Sequence, residues 1–321
     1  MSQTPGIDPA LFAPSAITPE TAAFNEKLAV AMAAETPLAE QEPADVRRAQ
    51  VEGRGPFAPL VLDENAENRT IPGPAGPIPI RLFRPPGEPQ GVYLYIHGGG
   101  WVLGAFDQQD DLLAASARRT GCVVVSVEYR LAPEHPYPAG PDDCEAAAVW
   151  LAERAAAEFG TDRLVIGGGS AGGHLSALTL LRMRDRHGFT GFRAANLLYG
   201  AFDLSETPSQ SQAPQQYIVP LPAMRWFYDH YAPTQDRRDP DVSPSYARLH
   251  DMPPALFSVG TLDPLLDDTL WMYARWVAAG NAAELALYPG GVHGFNLMPN
   301  LEIGREANRR MDEFLAAAVA D

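Results

Sequence analysis

The residues around Ser170 have the types and the spacing that could carry out a nucleophilic attack. The segment Gly168-Gly169-Ser170-Ala171-Gly172 matches the pattern G-x-S-x-G and stands between the apolar run 164–166 and an Ala- and Leu-rich stretch. In this pattern the serine lies on a sharp turn from strand to helix, and small flanking residues let the backbone fold tightly. A glycine-rich turn that holds a phosphate at a helix N-terminus is the alternative interpretation. We predict that Ser170 is a nucleophile.

A second glycine-rich segment, His97-Gly98-Gly99-Gly100-Trp101, follows an apolar run typical of a strand. Acyl transfer needs backbone N–H groups directed at the point where the oxyanion of the tetrahedral intermediate develops. Successive glycines let the main chain approach that point without a Cβ in the way. An ordinary glycine turn is the alternative. We predict an oxyanion hole formed by the N–H groups of Gly98, Gly99 and Ala171, and we expect His97 to hold the loop by hydrogen bonds.

The general base should be a histidine that follows the serine, because the partners of such a serine come in the order serine, acid, histidine. Five histidines meet this condition: His174, His187, His230, His250 and His293. The first is one helical turn after the serine, the second ends a predicted helix, and the next two lie in or near a long insertion. His293 alone follows the last predicted strand, at the edge of a sheet where open α/β folds place their sites. We predict that His293 is the base.

The carboxylate that orients the base should end the preceding strand. The apolar stretch 255–260 is that strand, and Asp263 follows it directly before Pro264. Aspartate before proline is also a good helix N-cap, so Asp263 could cap the next helix as well as serve the histidine. Asp267 is the second choice, since it falls in the first turns of that helix. We predict that Asp263 completes the triad.

Strands and helices alternate along the chain from about residue 65 onwards. Short runs rich in Val, Ile and aromatic residues predict strands, and apolar residues at helical spacing predict helices. The predicted strands are 69–71, 78–83, 91–96, 122–127, 163–167, 193–199, 255–259 and 284–288. The predicted helices are 18–34, 43–52, 107–119, 140–159, 171–186, 265–279 and 301–319. This alternation is typical of an α/β fold with a mostly parallel sheet covered on both faces.

One connection is far longer than the usual link between a strand and the next element. It joins the strand that ends at Tyr199 to the strand that starts at Ala255, and it is rich in apolar and aromatic residues. Such insertions are often lids or binding loops. The residues expected to line an apolar acyl site are Trp101, Phe202, Leu221, Met224, Trp226, Phe227, Phe295 and Leu297. Each alone is more often part of a core, but as a group they indicate a substrate cavity.

The composition argues against several classes of function. The 321-residue chain has a formal net charge of −16, from 24 basic and 40 acidic residues, so it repels phosphate backbones and anionic lipids. We expect neither a nucleic-acid nor a membrane partner. Cys122 and Cys144 form no C-x-x-C pair, which argues against a metal or redox site and fits a reducing cytosol. The N-terminus lacks a signal-peptide pattern, so a cytoplasmic protein is expected.

Together these motifs resemble those of the bacterial hormone-sensitive-lipase family (family IV) of carboxylesterases. The resemblance runs from about Arg69 to Leu315. The matching segments are His97-Gly98-Gly99-Gly100-Trp101, Tyr129-Arg130-Leu131-Ala132-Pro133-Glu134, Gly168-Gly169-Ser170-Ala171-Gly172-Gly173, Asp263-Pro264-Leu265 and His293-Gly294-Phe295. Five motifs in one order are a specific signature. The resemblance implies an α/β-hydrolase fold with an eight-stranded, mostly parallel sheet flanked by helices.

The resemblance also implies a helical cap and an activity. The cap would comprise residues 1–55 and 203–250, and the catalytic domain would comprise residues 56–202 and 251–321. The implied activity is hydrolysis of short-chain acyl esters, with a small-molecule ester as substrate and with neither a metal nor a cofactor. Many members are dimers, so a homodimer is one expected assembly.

Gly169 departs from the family pattern, in which the residue before the serine is usually acidic. Glycine fits the turn sterically, but the missing carboxylate changes the contacts behind the nucleophile, so the pH optimum and the rate do not carry over. Two other functions stay open at this level. One is a different hydrolase on the same fold, such as an amidase, lactonase or peptidase. The other is a non-catalytic ligand receptor, although plant hormone receptors resembling this family commonly lose the histidine that is present here as His293.

Overall fold

The computed structural model of the chain describes residues 6–54, 60–212, 217–298 and 300–320. Within these ranges the strands are β1 (Glu67–Ile71), β2 (Ile78–Phe83), β3 (Gly91–Ile96), β4 (Cys122–Val127), β5 (Leu164–Gly169), β6 (Phe192–Leu198), β7 (Ala255–Gly260) and β8 (Ala283–Tyr288). The α-helices are α1 (Pro19–Ala33), α2 (Pro43–Val51), α3 (Asp110–Thr120), α4 (Ala139–Phe159), α5 (Ala171–His187), α6 (Pro208–Gln212), α7 (Leu221–Tyr231), α8 (Leu266–Ala278) and α9 (Glu302–Val319). No helix in the described part of the chain is both long and apolar enough to cross a membrane.

The strands form one sheet in the order β1-β2-β4-β3-β5-β6-β7-β8. The pairs β1/β2 and β2/β4 are antiparallel, and the other pairs are parallel. The central strands β3, β4, β5 and β7 are buried along their whole length, which explains why they read as continuous apolar or glycine-rich runs in the sequence. The expected eight-stranded, mostly parallel α/β-hydrolase sheet is confirmed.

The side chains of β3 alternate between two hydrophobic layers, as the period of two in a strand requires. Leu94 and Ile96 belong to a core shared with α4, α5 and α8 on one face. Tyr93 and Tyr95 belong to a cluster shared with α3 and α9 on the other face. Because helices cover both faces, the loops at the carboxyl ends of the parallel strands converge at one edge of the sheet.

The insertion between β6 and β7 contains α6 and α7, whose bounds the sequence did not predict. By contrast, β2, β3 and β4 have the bounds expected from their apolar patterns. The predicted start of α3 at residue 107 was wrong, because residues 107–109 form turns and the helix begins at Asp110. The predicted boundary between residues 55 and 56 lies outside the described residues, so the division into cap and catalytic domain stays a prediction.

Candidate active site

Ser170 lies in the turn that joins β5 to α5. Its backbone has φ = 59° and ψ = −124°, a conformation that is strained for a residue with a Cβ. Glycines on both sides make the turn possible. A Cβ on Gly168 would lie 2.1 Å from the carbonyl oxygen of Ile96, and one on Gly172 would lie 1.9 Å from the same oxygen. The turn therefore holds the serine at the carboxyl edge of the sheet, in the wall of a large cavity.

The imidazole of His293 lies between the hydroxyl group of Ser170 and the carboxylate of Asp263. His293 Nε2 is 2.9 Å from Ser170 Oγ, and His293 Nδ1 is 3.1 and 3.0 Å from the two carboxylate oxygens. The histidine is 8% exposed and the aspartate 3%, so water competes little for these contacts. In this arrangement the carboxylate favours a proton on Nδ1 and leaves Nε2 able to accept the serine proton.

Asp263 also shows the capping contact considered from the sequence. Its Oδ1 accepts a hydrogen bond of 2.8 Å from the N–H of Leu265, directly before α8. Asp267, the second choice for the acid, instead accepts a hydrogen bond of 2.8 Å from the N–H of Ser209. Thus Asp263, and not Asp267, contacts His293.

The four rival histidines contact other groups. Their partners are Trp101 and Val242 O for His174, Glu145 for His187, Trp226 O for His230 and Asp251 for His250. Burial lowers the pKa of His174 to about 4, so its ring is neutral at pH 7. In the described part of the chain, His293 is therefore the histidine that lies within hydrogen-bond distance of Ser170.

The loop after β3 brings Gly98 and Gly99 next to the nucleophile. A Cβ on Gly98 would lie 3.5 Å from Ser170 Cβ and 2.9 Å from the carbonyl oxygen of Gly169. Ala171 is the first residue of α5, so its N–H has no partner within the helix. Across the described ranges, no backbone hydrogen bond uses the N–H of Gly98, Gly99 or Ala171. These three donors are therefore unused close to Ser170.

His97 contacts this loop in a way that agrees with the structural role expected for it. Its Nδ1 is 2.8 Å from the carbonyl oxygen of Gly98, and its ring stacks on Tyr129 with 4.3 Å between centroids. Burial lowers the pKa of His97 to about 4, so the ring is neutral and Nδ1 donates to the carbonyl. The Gly98 C=O and the Gly99 N–H belong to one planar peptide. The hydrogen bond from His97 therefore also fixes the direction of the Gly99 N–H.

Comparison with known proteins assigns this site to a family. A family model described as the α/β hydrolase fold matches residues 93–297. The chain belongs to the α/β-hydrolase family. Its matched region contains the loop after β3, the serine turn and both proposed partners of the serine, so the family match covers the whole site.

Curated relatives of this α/β hydrolase are esterases. The chain is 38% identical over 236 residues to carboxylic ester hydrolase LipN of Mycobacterium tuberculosis, a match that covers 70% of the chain and 63% of LipN. It is 35% identical over 234 residues to ethyl acetate hydrolase of Pseudomonas putida, covering 70% of the chain and 73% of that protein. The resemblance to bacterial hormone-sensitive-lipase-like carboxylesterases is confirmed, and the protein is a carboxylic ester hydrolase.

A solved structure supports the same assignment. The esterase of Pyrobaculum calidifontis superposes on this esterase with a TM-score of 0.82 and 33% sequence identity, over 95% of this chain and 100% of that chain. Because the superposition covers nearly the whole of both chains, the likeness extends well beyond the sheet.

The esterase has a cavity of about 2080 Å³ whose wall includes Ser170 and His293. The two chain segments predicted to form the cap both contribute to the wall. Residues of α1, α2 and α7 that line it include Leu28, Met32, Val46, Met224 and Phe227. We call these three helices the roof of the cavity. Of the eight predicted pocket residues, Trp101, Met224, Phe227 and Leu297 line the cavity.

The other four predicted pocket residues do not line the cavity, which corrects that part of the prediction. Phe202 is fully buried and packs against Phe257 with 6.1 Å between ring centroids. Phe295 is also fully buried and packs against Tyr288 at 5.0 Å. Trp226 packs against His230 at 4.5 Å, because α7 directs the face with Met224 and Phe227 towards the cavity. Leu221 begins α7 and is partly buried outside the wall.

Tyr199 is a site residue that the sequence did not reveal. Its ring lies 4.7 Å from the imidazole of His293, its hydroxyl group donates to Asn296, and its φ is 34°. A Cβ on Gly169 would lie 3.0 Å from Tyr199 Cε2. The glycine that departs from the family pattern therefore has the tyrosine ring directly against it. No sequence pattern links Tyr199 to His293, because the contact joins two different loops.

Arg47 is a second unpredicted residue, and it connects the roof to the loop after β3 (residues 97–104), which carries two of the predicted oxyanion donors and is called the oxyanion loop below. Its Nε donates to the carbonyl oxygen of Val102 at 2.7 Å, its Nη2 donates to that of Ala132, and its guanidinium pairs with both oxygens of Glu134 at 2.9 Å. Val102 N–H in turn donates to Gly99 O at 3.2 Å. Arg47 thus holds α2 against the loop that carries two of the unused donors.

Proposed function

We propose that this esterase hydrolyses short-chain acyl esters through an acyl-enzyme formed on Ser170. The observation that carries the proposal is the 2.9 Å contact between Ser170 Oγ and His293 Nε2, with Asp263 on the other ring nitrogen. The name of the Pseudomonas putida relative, ethyl acetate hydrolase, supports a small ester as the substrate. The large apolar share of the cavity wall under the roof supports an acyl site at Met224 and Phe227.

In the proposed reaction, Ser170 Oγ attacks the ester carbonyl carbon while its proton moves to His293 Nε2. The tetrahedral intermediate breaks its bond to the alcohol oxygen, which takes the proton from His293 and leaves. Water then attacks the acyl-enzyme and gives a proton to His293. The bond to Ser170 Oγ breaks, the serine regains its proton from His293, and the carboxylic acid leaves. Asp263 stabilises the imidazolium that forms in both halves.

The N–H groups of Gly98, Gly99 and Ala171 are proposed to bind the oxyanion in both tetrahedral intermediates. Residues 1–55 and 203–250 are proposed to form the cap over this site. Buried Cys122 and Cys144 are free thiols, which supports a proposed cytosolic location. A homodimer stays an expectation from the family resemblance.

Covalent labelling tests the proposal. A fluorophosphonate reagent should form one adduct, which mass spectrometry of the digested protein should locate on Ser170. The wild-type chain should hydrolyse 4-nitrophenyl acetate and butyrate, with rates that fall for long acyl chains. Ser170→Ala should lose the label and lower kcat for the butyrate ester about 10⁶-fold. Faster hydrolysis of a matched anilide than of the ester would indicate an amidase instead.

Ser176→Ala is the matched control. Ser176 lies on α5, the helix that Ser170 precedes, and its Oγ donates to the carbonyl oxygen of Gly172 at 2.7 Å. This control should keep both the label and the activity. A fully active Ser170→Ala, or a label placed on a different serine, would contradict the assignment.

A further inference from the structure

The backbone of Trp101 has a conformation that few residues other than glycine adopt. Its φ is 61°, and it follows Gly99 with φ = 110° and Gly100 with φ = 60°. Glycine adopts positive φ values at little cost, whereas the Cβ of any other residue crowds its own backbone there. The strain of the oxyanion loop therefore falls mainly on Trp101, and the surrounding contacts must hold this residue in place.

Three contacts hold Trp101. Its carbonyl oxygen accepts a hydrogen bond of 2.9 Å from the N–H of Ala132. Its indole stacks on the ring of Tyr231 with 4.4 Å between centroids. The indole Nε1 donates a hydrogen bond of 3.0 Å to Nδ1 of His174. Stacked rings can slide over each other, whereas a hydrogen bond fixes both a distance and a direction. The contact with His174 therefore determines where the indole lies.

The two hydrogen bonds of His174 determine which of its ring nitrogens carries the proton. An indole N–H can only donate, so Nδ1 accepts from Trp101. Nε2 lies 2.8 Å from the carbonyl oxygen of Val242 and therefore carries the proton that it donates. The ring is fully buried, and burial lowers its pKa to about 4. At neutral pH His174 is thus an uncharged ring in a single tautomer, with both nitrogens paired.

His174 connects the nucleophile to the oxyanion loop. It lies in the first turn of α5, where its N–H donates a hydrogen bond of 3.1 Å to the carbonyl oxygen of Ser170. Its imidazole reaches from there to the loop that carries Gly98 and Gly99. The hydrogen bond to Trp101 therefore joins the helix that begins after the nucleophile to the loop with two of the proposed oxyanion donors, and it helps to set the distance between them.

We infer that His174 is a positioning residue for the oxyanion loop. By accepting the hydrogen bond of Trp101, its Nδ1 holds this loop in the strained conformation that directs the N–H groups of Gly98 and Gly99 at the oxyanion. Small displacements of such donors weaken the stabilisation of the transition state. The inference rests on the proposed function, which assigns these N–H groups to the oxyanion. His174 itself is not part of the cavity wall.

Two substitutions of His174 separate its two hydrogen bonds. Asparagine places Oδ1 close to the position of the imidazole Nδ1, so His174→Asn can still accept from Trp101 but does not reach Val242. Glutamine places Nε2 close to the position of the imidazole Nε2, so His174→Gln can still donate to Val242 but leaves the indole N–H unpaired. Each variant loses one buried hydrogen bond. Both should therefore lower the free energy of unfolding in urea by similar amounts.

Only His174→Gln should impair catalysis strongly. We expect its kcat for 4-nitrophenyl butyrate to fall about tenfold while KM changes less than about twofold, because oxyanion donors act on the transition state more than on the bound ester. A trifluoromethyl ketone forms an oxyanion when the serine adds to it, so its affinity should fall in parallel with kcat. His174→Asn should keep both values within about threefold of wild type.

A double-mutant cycle tests the other side of the contact. Trp101→Phe keeps an aromatic ring but removes the donor, and it should lower kcat about tenfold. Adding His174→Gln to this variant should cause little further loss, because the shared hydrogen bond is already absent. Tyr231→Phe is the matched control. It removes a hydroxyl group that has no hydrogen-bond partner among the described residues and keeps the ring against Trp101, so kcat and the affinity for the ketone should stay at wild-type values.

Three outcomes would overturn the inference. Equal losses of kcat in His174→Asn and His174→Gln would mean that His174 only stabilises the fold. Fully additive losses in the double variant would mean that the two side chains act separately. Wild-type kcat and ketone affinity in Trp101→Phe would overturn it as well, even if His174→Gln does not fold. If the wild-type chain neither hydrolyses the ester nor takes the fluorophosphonate label, the proposed function fails and the inference fails with it.

Discussion

The loops at the carboxyl edge of the sheet and the helices of the roof are held in place in different ways. Ser170, Asp263 and His293 each lie in a loop that follows a strand, namely β5, β7 and β8. Those strands are fixed by parallel ladders of backbone hydrogen bonds, with one register shift at Leu164/Val165 in the β5/β6 pair. The roof, by contrast, is held by side chains: α2 and α7 pack on the hydrophobic core, and Arg47 donates hydrogen bonds to more than one loop.

Asp268 of α8 holds the insertion between β6 and β7 in a corresponding way. Its carboxylate accepts hydrogen bonds from Asp203 N–H at 2.8 Å, from the Thr207 hydroxyl group at 2.9 Å and from Gln210 Nε2 at 2.8 Å. Gln210 Oε1 accepts from the hydroxyl group of Tyr228 on α7 at 3.2 Å. The insertion is thus attached to α8 through the buried carboxylate of Asp268, in addition to the contact between Asp267 and Ser209. From this difference we expect that substitutions at the sheet edge mainly lower kcat. Substitutions in the roof should mainly alter ligand binding and the stability of the fold.

The largest expected effect is a difference in kcat between the asparagine variants of two aspartates that are close in sequence. Asp263→Asn should lower kcat for 4-nitrophenyl butyrate about 10⁴-fold, because the amide can stabilise the wrong tautomer of His293. Asp267→Asn should change kcat less than about threefold, since Asp267 contacts Ser209 N–H and not the histidine. Steady-state kinetics of both variants measures the contrast. If Asp267→Asn lowers kcat more than Asp263→Asn does, Asp267 and not Asp263 orients the histidine.

An intermediate effect is expected on kcat/KM, where the alanine variants of two neighbouring arginines of α2 should differ. Arg47→Ala leaves the buried carbonyl oxygen of Val102 without its donor and should lower kcat/KM about tenfold by loosening the oxyanion loop. Arg48 pairs at the surface with Asp45, so Arg48→Ala should stay within about twofold.

The affinity for a trifluoromethyl ketone distinguishes loop positioning from a general loss of stability in the Arg47 variant. This inhibitor forms an oxyanion on the serine, so its affinity should fall in parallel with kcat/KM. Arg47→Lys should restore part of both values. If the ketone still binds with wild-type affinity, the roof does not act on the oxyanion loop, and the two regions are more independent than we propose.

The smallest effect concerns stability and pH. Burial, opposed by its hydrogen-bond donors, raises the pKa of Asp268 to about 8, above its value in the unfolded chain. The native state therefore binds this proton more tightly. The resulting stabilisation is complete below about pH 4 and is lost as the pH rises through about 8. Asp268→Asn should flatten the decrease in the free energy of unfolding between pH 5 and 8.5, measured by urea denaturation. An unchanged slope would mean that Asp268 is ionised throughout.

Much of the fold was predictable because the signals are local. The alternating or continuous apolar runs of β2, β3 and β4 gave their bounds, since burial on a sheet imposes a fixed period on each strand. Glycines at 168 and 172 indicated the sharp turn, because a side chain at either place would collide with Ile96. In each case the residue types follow from a steric or burial requirement of the local segment.

The lining of the cavity was predictable only in part. Met224 and Phe227 face the cavity while Trp226 does not, and all three are equally apolar in the sequence. Which face of α7 meets the cavity depends on how the helix packs, and that depends on residues far away in the chain, such as Gln210 on Tyr228. Apolar character alone could not distinguish pocket from core.

The sequence by itself determined the chemistry that we propose for this esterase: a serine on a glycine-bounded turn, glycine donors before it, and an acid and a histidine after it in one order. It did so because each motif must meet a local steric or chemical requirement. The tertiary structure decided the contacts that cross between elements, such as Tyr199 against His293 and Arg47 on the oxyanion loop. These contacts join positions distant in the chain, and their geometry follows from the packing of the whole fold.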